Sequence, residues 1–465
     1  MEALMNNEQY TQREGLARLG LDQQGVRVLV VGLGVTGLSV VKFLHQNNIS
    51  VAVVDSRENP PGLLEVEESY QDVAVFTSSF EHTVFEAATH IIVSPGVNLN
   101  EAEIQAAAER GIPVFGDIDV FAVCADGPVA CITGSNGKST VTTLLGKMAI
   151  SAGLDARVGG NIGIPALELL TEQPADLYIL ELSSFQLERT SQLTANVAAI
   201  LNISADHMDR YSSLASYSEA KERVLYGPGI AVLNRHDEAV QHMVLPIGRK
   251  AVSFGLDEAT DCDYGLITHA GKSYLTAAGK PIIASEALKL KGAHNIQNVL
   301  AAMAMADSLG IAQVAQQQTI ASFTGLAHRS QWVAEFNGVT WVNDSKATNP
   351  GACLAALEGL PAPIVLIAGG DGKGADFSVL TNAIEANVRL VILLGRDAQR
   401  FQTEAIVDTP FFMVDTIEQA VQTAKEQANV GDMVLLSPAC ASLDQFDSYQ
   451  QRGDRFSAAV KGLLK

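Results

Sequence analysis

Short runs of β-branched and aliphatic residues alternate with stretches of helical period along nearly the whole chain, a pattern that predicts parallel sheets covered by helices. In the first part VRVLVVG (26–32), SVAVVD (50–55) and HIIVSPG (90–96) read as strands, each followed by a loop and a helix-like stretch. A second set opens with VACITG (129–134) and continues through LYILEL (177–182) and VAAILNIS (197–204). A third contains TWVNDS (340–345), IVLIAGG (364–370), LVILLGR (390–396) and DMVLLSP (432–438). GIPVFGD and FTGLAHR look like connections, so boundaries are expected near residues 117 and 325, giving domains 1–117, 118–325 and 326–465. Residues 1–24 read as a helical or frayed extension without an assigned role. Sheets of this kind bind ligands beyond their strand C-termini, which directs attention to the loops that follow these runs.

Composition narrows the picture. At about 150 residues per domain, 465 residues agree with roughly three domains, and 47% hydrophobic residues supply apolar surface for several cores. The formal net charge of -21 repels a phosphate backbone, so nucleic acid is excluded as an expected partner. Anionic ligands must then be held locally, by backbone amides, a few lysines and arginines, or bound cations. The five cysteines are odd in number and widely spaced, with no CxxC pair, and read as buried free thiols. The N-terminal stretch lacks the apolar core of a signal peptide, and no apolar run is long enough to span a bilayer. A cytoplasmic chain without membrane insertion is the expectation.

Two glycine-rich turns stand out. Gly32-Leu33-Gly34-Val35-Thr36-Gly37 follows the first strand, and Asp55 ends the next one at the spacing of a ribose-binding acid. Alone this suggests a dinucleotide enzyme, but the physics is narrower: glycines turn the chain tightly and let any nucleotide's phosphates approach a helix N-terminus. A ligand-free turn has the same sequence. The sharper signal is Thr133-Gly134-Ser135-Asn136-Gly137-Lys138-Ser139-Thr140, between an apolar strand and a helical stretch. It reads as a phosphate-binding loop in which Lys138 neutralises β/γ-phosphates and the Ser139 hydroxyl ligates magnesium. Ile132 sits where the first glycine of GxxxxGK[ST] belongs, so a compact variant is implied.

With GGNIG (159–163), ELSSFQ (181–186), NISADHMDRY (202–211) and AHNIQN (293–298), this loop resembles the ordered motifs of the Mur ligases. DSKATNPGA (344–352), GGDGKGADFS (369–378) and LSPACASLDQF (436–446) bring the resemblance closest to the D-glutamate-adding branch, across residues 26–456. It implies an α/β fold of three domains: Rossmann-like, then P-loop ATPase-like with a mostly parallel sheet, then Rossmann-like again. It also implies an ATP-dependent ligase of peptidoglycan precursor synthesis that uses two magnesium ions. Its substrates would be UDP-N-acetylmuramoyl-L-alanine, D-glutamate and ATP, on a chain acting as a monomer.

The resemblance assigns residues as well. ATP would be held by Gly134 through Thr140, with Asn295 and Asn298 at the base, Arg329 at phosphate and Asp344 at ribose. Thr36, Asp55, Ser56, Arg57, Ser94, Gly96, Asn161, Ser183 and His207 would hold the UDP substrate. Lys346, Thr348, Lys373, Ser442 and Tyr449 would hold D-glutamate, with Tyr449 standing where phenylalanine is often found. Ser139, Glu181, His207 and Lys221 would hold metal, Lys221 as a carbamate, while Lys138, His207 and Lys221 would be the catalytic set. Taken singly, Lys221 reads as a solvated helix lysine, His207 as a surface-loop histidine and Glu181 as a strand-end acid. The implied chemistry is phosphorylation of the alanyl carboxylate, then attack by the amine, with the last domain expected to close on the middle one. An NAD oxidoreductase would use only the first glycine turn, and a ligase adding another amino acid is the nearer rival.

Overall fold

Valine, isoleucine and leucine runs that bury both faces build three sheets in the computed structural model, which describes residues 11–204, 206–208, 210–258, 263–269, 271–290, 292–405 and 408–463. Asp209, beside His207, and Cys262 lie outside the described residues. By their contacts the residues fall into two units, Met1–Ala284 with Asn298–Ile320, and Ser285–Gln297 with Ala321–Lys465.

The first unit holds two sheets. In the N-terminal one the strand order is Ala74–Phe76, Val51–Val54, Val28–Val31, His90–Val93, Val114–Phe115, all parallel. The order reverses direction between Val28–Val31 and His90–Val93, which opens a crevice at their C-terminal ends. The central sheet has nine strands. Its parallel part runs Arg249–Phe254, Gly229–Asn234, Val197–Ile200, Val129–Thr133, Leu177–Glu181, Ala156–Gly160. An antiparallel meander of Tyr264–His269, Lys272–Ala277 and Lys280–Ala284 extends one edge. One apolar cluster runs from Leu16 and Val30 through Phe121 to Tyr178 and Ile200, joining the two sheets.

The helix Asp117–Cys124 lies at that joint and is almost wholly buried. Part of the expected extension covers it: Gln12–Arg18 is a helix closed by a capping box between Thr11 and Glu14. Leu16, Leu19 and Leu21 are buried, each contributing about 1.5–3 kcal/mol. A Cβ on Gly15 would collide with the Val123 carbonyl, and the Cys124 thiol donates to the Gln12 carbonyl at 3.5 Å.

In the second unit six strands run Gln331–Phe336, Val339–Asn343, Met433–Leu436, Ile364–Ala368, Val388–Leu393, Phe411–Met413. All neighbours are parallel except the first pair, and an apolar cluster covers each face. The helix Tyr449–Gly462, capped by Ser448, packs Phe456 against Trp341. Cys124, Cys131, Cys353 and Cys440 are free and buried. Among the described residues no helix is long and apolar enough to cross a membrane.

Candidate active site

The strand Val129–Thr133 ends in a turn that only glycine accommodates, with φ of 147° at Gly134 and 85° at Gly137. The helix Lys138–Ser151 then begins without a side-chain cap, so its first N–H groups and the positive end of its dipole face the turn. The turn is braced from behind. The Asn136 N–H donates to Asn202 Oδ1 at 2.8 Å, and the Ser204 N–H to Ser135 Oγ at 2.9 Å. A Cβ on Gly137 would collide with the Asn298 side-chain oxygen, so this buried asparagine leans on the turn. Asn295, also buried, lies one turn earlier on the helix Ala293–Ser308. Ser139 and Thr140 are buried, and Lys138 Nζ donates to the carbonyls of Gly134 and Ser135 at 2.9 Å each.

Two buried ionisable groups flank this turn. Lys221, 1% exposed, donates to the same Gly134 carbonyl at 2.9 Å and lies over the Tyr217 ring at 4.6 Å. Burial, assisted by the like charge of Lys138, pushes its pKa down to about 6, against the opposing pull of Asp206 and Glu181. Glu181 ends the strand Leu177–Glu181 and is 3% exposed; its Oε1 accepts from Asn161 Nδ2 at 3.0 Å, while Oε2 has no partner. A buried carboxylate oxygen without a donor is costly, and a cation is its natural complement. Among the described residues no three His, Cys, Asp or Glu side chains converge as a ready-made cage. Magnesium needs none: it binds through one or two carboxylates, waters and substrate phosphates, and the buried Glu181 carboxylate and the Ser139 hydroxyl at the start of the helix are donors of the kind it takes.

His207 sits at φ 55° with its ring 4.8 Å from Phe185 and Nε2 3.5 Å from Asp206. Ser183, whose Oγ accepts from the Gln186 N–H, caps the short helix Ser184–Leu187 that carries Phe185. Sequence reasoning missed the group that binds this region to the first sheet. Glu188 accepts from Arg189 at 2.9 Å, from Arg210 at 2.7 Å and from the Tyr211 hydroxyl at 3.0 Å. Both arginines also donate to the Val97 carbonyl, just beyond Ser94 and Gly96. The only signal in the sequence was that Arg210 and Tyr211 close the motif NISADHMDRY and that Glu188 and Arg189 follow shortly after ELSSFQ.

The first glycine turn is built differently. Gly32 has φ 93°, and a Cβ on Gly37 would collide with the Gly32 carbonyl, which also accepts from Ser94 Oγ at 2.6 Å. Asp55 is nearly buried and fully engaged: its Oδ2 accepts from the Leu33 N–H at 2.7 Å and Arg57 Nη2 at 2.6 Å, its Oδ1 from Arg57 Nε at 2.8 Å. Burial pushes the Asp55 carboxyl up, but the hydrogen bonds from Arg57 and Leu33 outweigh it and hold the pKa below the usual range. Thr36 is half-buried, and Ser56 and Gly96 are exposed on the same rim.

In the second unit Asp344 is buried, its Oδ1 accepting from the Ser330 N–H and its Oδ2 from Ser437 Oγ, both at 2.9 Å. Burial pushes its pKa up to about 6, against the pull of these bonds and of neighbouring Arg329. Lys346 Nζ lies 4.0 Å over the Tyr449 ring. Thr348 is half-buried, Ser442 buried, and Lys373 exposed at φ 48°. The structure thus groups the sequence-predicted residues into a phosphate turn with its buried charges, a first-sheet rim, and a cluster in the second unit.

Comparison with known proteins identifies the family of the chain. Residues 26–116 match the Mur ligase MurD-like N-terminal domain, 132–306 the Mur ligase middle domain, and 328–440 the Mur ligase glutamate ligase domain. The chain is 51% identical over 449 residues to a UDP-N-acetylmuramoylalanine--D-glutamate ligase of Methylococcus capsulatus, covering 97% of both chains. A Pseudomonas putida protein of the same name is 48% identical over 94% of this chain and 97% of its own. Among solved structures, the MurF ligase from Thermotoga maritima in complex with ADP shares the fold at TM-score 0.60 and 16% identity, covering 89% of this chain and 95% of that one. Near-full-length identity of this size, together with three family domains in order, establishes that the chain belongs to the Mur ligase family.

Proposed function

We propose that the chain is an ATP-dependent, ADP-forming ligase that joins D-glutamate to UDP-N-acetylmuramoyl-L-alanine in peptidoglycan precursor synthesis. The relatives at 48–51% identity that carry this activity in their names support the choice of substrates. The structural observation that carries the reading is the uncapped, glycine-built turn at Lys138 set beside a buried Glu181 whose Oε2 lacks a partner.

In this reading Gly134 to Thr140 cradle the phosphates of ATP, with Asn295 and Asn298 at the base, Arg329 at phosphate and Asp344 at ribose. Thr36, Asp55, Ser56, Arg57, Ser94 and Gly96 hold the UDP end of the other substrate, and Asn161, Ser183 and His207 its sugar-peptide end. D-glutamate is held by Lys346, Thr348, Lys373 and Ser442 against Tyr449. Ser139 and Glu181 would hold one magnesium ion and His207 and Lys221 a second, and the bound ions would supply positive charge to the phosphate oxygens. Boundaries near residues 117 and 325, a monomer and a cytoplasmic location complete the reading.

The alanyl carboxylate is a poor electrophile, so its oxygen first attacks the γ-phosphorus, giving an acyl phosphate and ADP. Lys138 leaves its carbonyl partners to meet the charge growing between β- and γ-phosphates, where a preplaced cation stabilises the transition state. The D-glutamate amine then attacks the acyl carbon, and the tetrahedral intermediate expels phosphate. Asn161 orients Glu181, and Asp206 holds the His207 ring. Lys221 is proposed to be carbamylated: a buried amine that is largely neutral at pH 7 can add carbon dioxide, turning a cation into a metal-binding anion.

Phosphate release measured with ATP, magnesium and UDP-N-acetylmuramoyl-L-alanine tests the assignment. D-glutamate should stimulate it, while L-glutamate and meso-diaminopimelate should not. Stimulation by diaminopimelate in place of D-glutamate would replace this reading with that of another amino-acid ligase.

A further inference from the structure

One buried cation in the second unit takes no part in the chemistry above. Arg452, on the helix Tyr449–Gly462, is 2% exposed, and each of its hydrogen bonds goes to a backbone carbonyl or a hydroxyl. Its Nε donates to Ser345 Oγ at 2.9 Å and its Nη2 to the Ser345 carbonyl at 2.8 Å. Nη2 also reaches the Cys440 carbonyl at 3.1 Å, and Nη1 the Ala441 carbonyl at 3.4 Å.

These partners belong to loops that carry the amino-acid site. Ser345 precedes Lys346, and Ala441 precedes Ser442. The third loop is held through Ala441, which exchanges hydrogen bonds with Asp371 at 3.0 and 2.9 Å, two residues before Lys373. Gly370 of that loop lies against the guanidinium, for a Cβ there would come within 3.3 Å of Nη1. Tyr449 is tied to the same centre, because Ser345 Oγ donates to its carbonyl at 2.8 Å and it lies one turn before Arg452.

We propose that Arg452 is a positioning residue of the amino-acid site, whose planar fork sets the spacing of Lys346, Lys373, Ser442 and Tyr449 without touching the amino acid. The inference rests on the amino-acid assignment made above. A dicarboxylic amino acid needs two cationic or hydroxyl anchors at fixed separation, and those anchors sit on loops that leave the adjacent strands Val339–Asn343, Met433–Leu436 and Ile364–Ala368, several residues beyond the last pairs of the ladder. A buried guanidinium can do this because its five donors point in fixed directions, whereas an ammonium of the same charge cannot span the carbonyls. Burial holds the Arg452 pKa down to about 10, so it stays charged at neutral pH.

Arg249 provides the contrast. It too is buried and bonded to carbonyls, those of Gly227, Ile230, Ala195, Tyr226 and Pro228, but none of these belongs to a site loop. A purely structural arginine therefore exists in the same chain, and position rather than burial distinguishes Arg452.

The test is steady-state phosphate release by the full chain carrying Arg452→Lys or Ser345→Ala. For Arg452→Lys the KM for D-glutamate should rise by about tenfold or more, with the KM for ATP and for the UDP substrate within about twofold. Ser345→Ala, which removes the hydroxyl that links Arg452 to the Tyr449 carbonyl and keeps the charge, should raise the D-glutamate KM by about threefold. In Arg452→Ala, ethylguanidinium at non-denaturing concentration should lower that KM again while ethylammonium should not. A D-glutamate KM within about twofold of the parent in Arg452→Lys, or a parallel rise in all three KM values, overturns the proposal. Should the Arg452 variants fail to fold, an unchanged D-glutamate KM in Ser345→Ala overturns it. If the unaltered chain shows no D-glutamate-dependent phosphate release, the amino-acid assignment itself falls, and the inference with it.

Discussion

The two glycine turns of the first unit share a plan and differ in their electrostatics. Each joins a buried parallel strand to a helix that starts without a side-chain cap. At the N-terminal turn the nearby carboxylate is already satisfied, since Asp55 spends both oxygens on Leu33 and Arg57. At the central turn the charges are left wanting: Lys221 is desolvated beside Lys138, and Glu181 Oε2 accepts nothing. The first arrangement suits a receptor that must hold an intact nucleotide in one pose. The second suits a site where incoming phosphates and cations complete the balance, so that its strain is relieved only with ligands in place.

That contrast ranks the expected effects of substitution. Lys138→Ala should cost the most, lowering kcat by about a thousandfold, because the lost charge faces the phosphoryl transition state. Rapid-quench or steady-state rates within tenfold of the parent would erase the distinction between the turns. Stripping dissolved carbon dioxide should lower turnover by roughly tenfold and bicarbonate should restore it, if Lys221 carries a carbamate. Carbon-13 NMR with labelled bicarbonate checks this directly: a carbamate signal is expected in the parent and none in Lys221→Met.

Asp55→Asn should have the smallest effect, raising the KM for the UDP substrate by about tenfold with little change in kcat. It also has a pH signature. The folded pKa of Asp55 is depressed, so its stabilisation is present above the unfolded value near 4 and is lost as pH falls through the folded value. The variant should therefore melt a little below the parent at pH 7, by no more than about 1 kcal/mol because Arg57 is half exposed, and the gap should close in acid.

What the sequence revealed follows from where the information is local. The buried parallel strands were legible because their apolar runs are continuous, and Val28–Val31, Val129–Thr133 and Ile364–Ala368 fall within the runs that predicted them. The meander of Tyr264–His269, Lys272–Ala277 and Lys280–Ala284 was not, because its strands break their apolar positions with glycine, lysine, serine and threonine instead of running continuously, as befits the edge of a sheet. The glycine turns were legible because positive φ demands glycine. The joining roles of the Glu188–Arg189–Arg210 group and of Arg452 were not legible, since each joins segments distant in sequence and a lone charged residue ordinarily reads as solvated. Lys221 shows the same limit: only the fold reveals that a lysine in SEAKERVL is buried.

The small leading helix has a consequence for how the phosphate turn is kept in place. Gly15 meets the Val123 carbonyl and Cys124 meets the Gln12 carbonyl, and Val129, the first residue of the strand that delivers Gly134, follows only five residues later. A branched side chain at residue 15, or proteolytic loss of the first two dozen residues, would loosen the footing of that strand although neither event occurs near the nucleotide. Damage at the front of the polypeptide would thus register as a defect in phosphate handling.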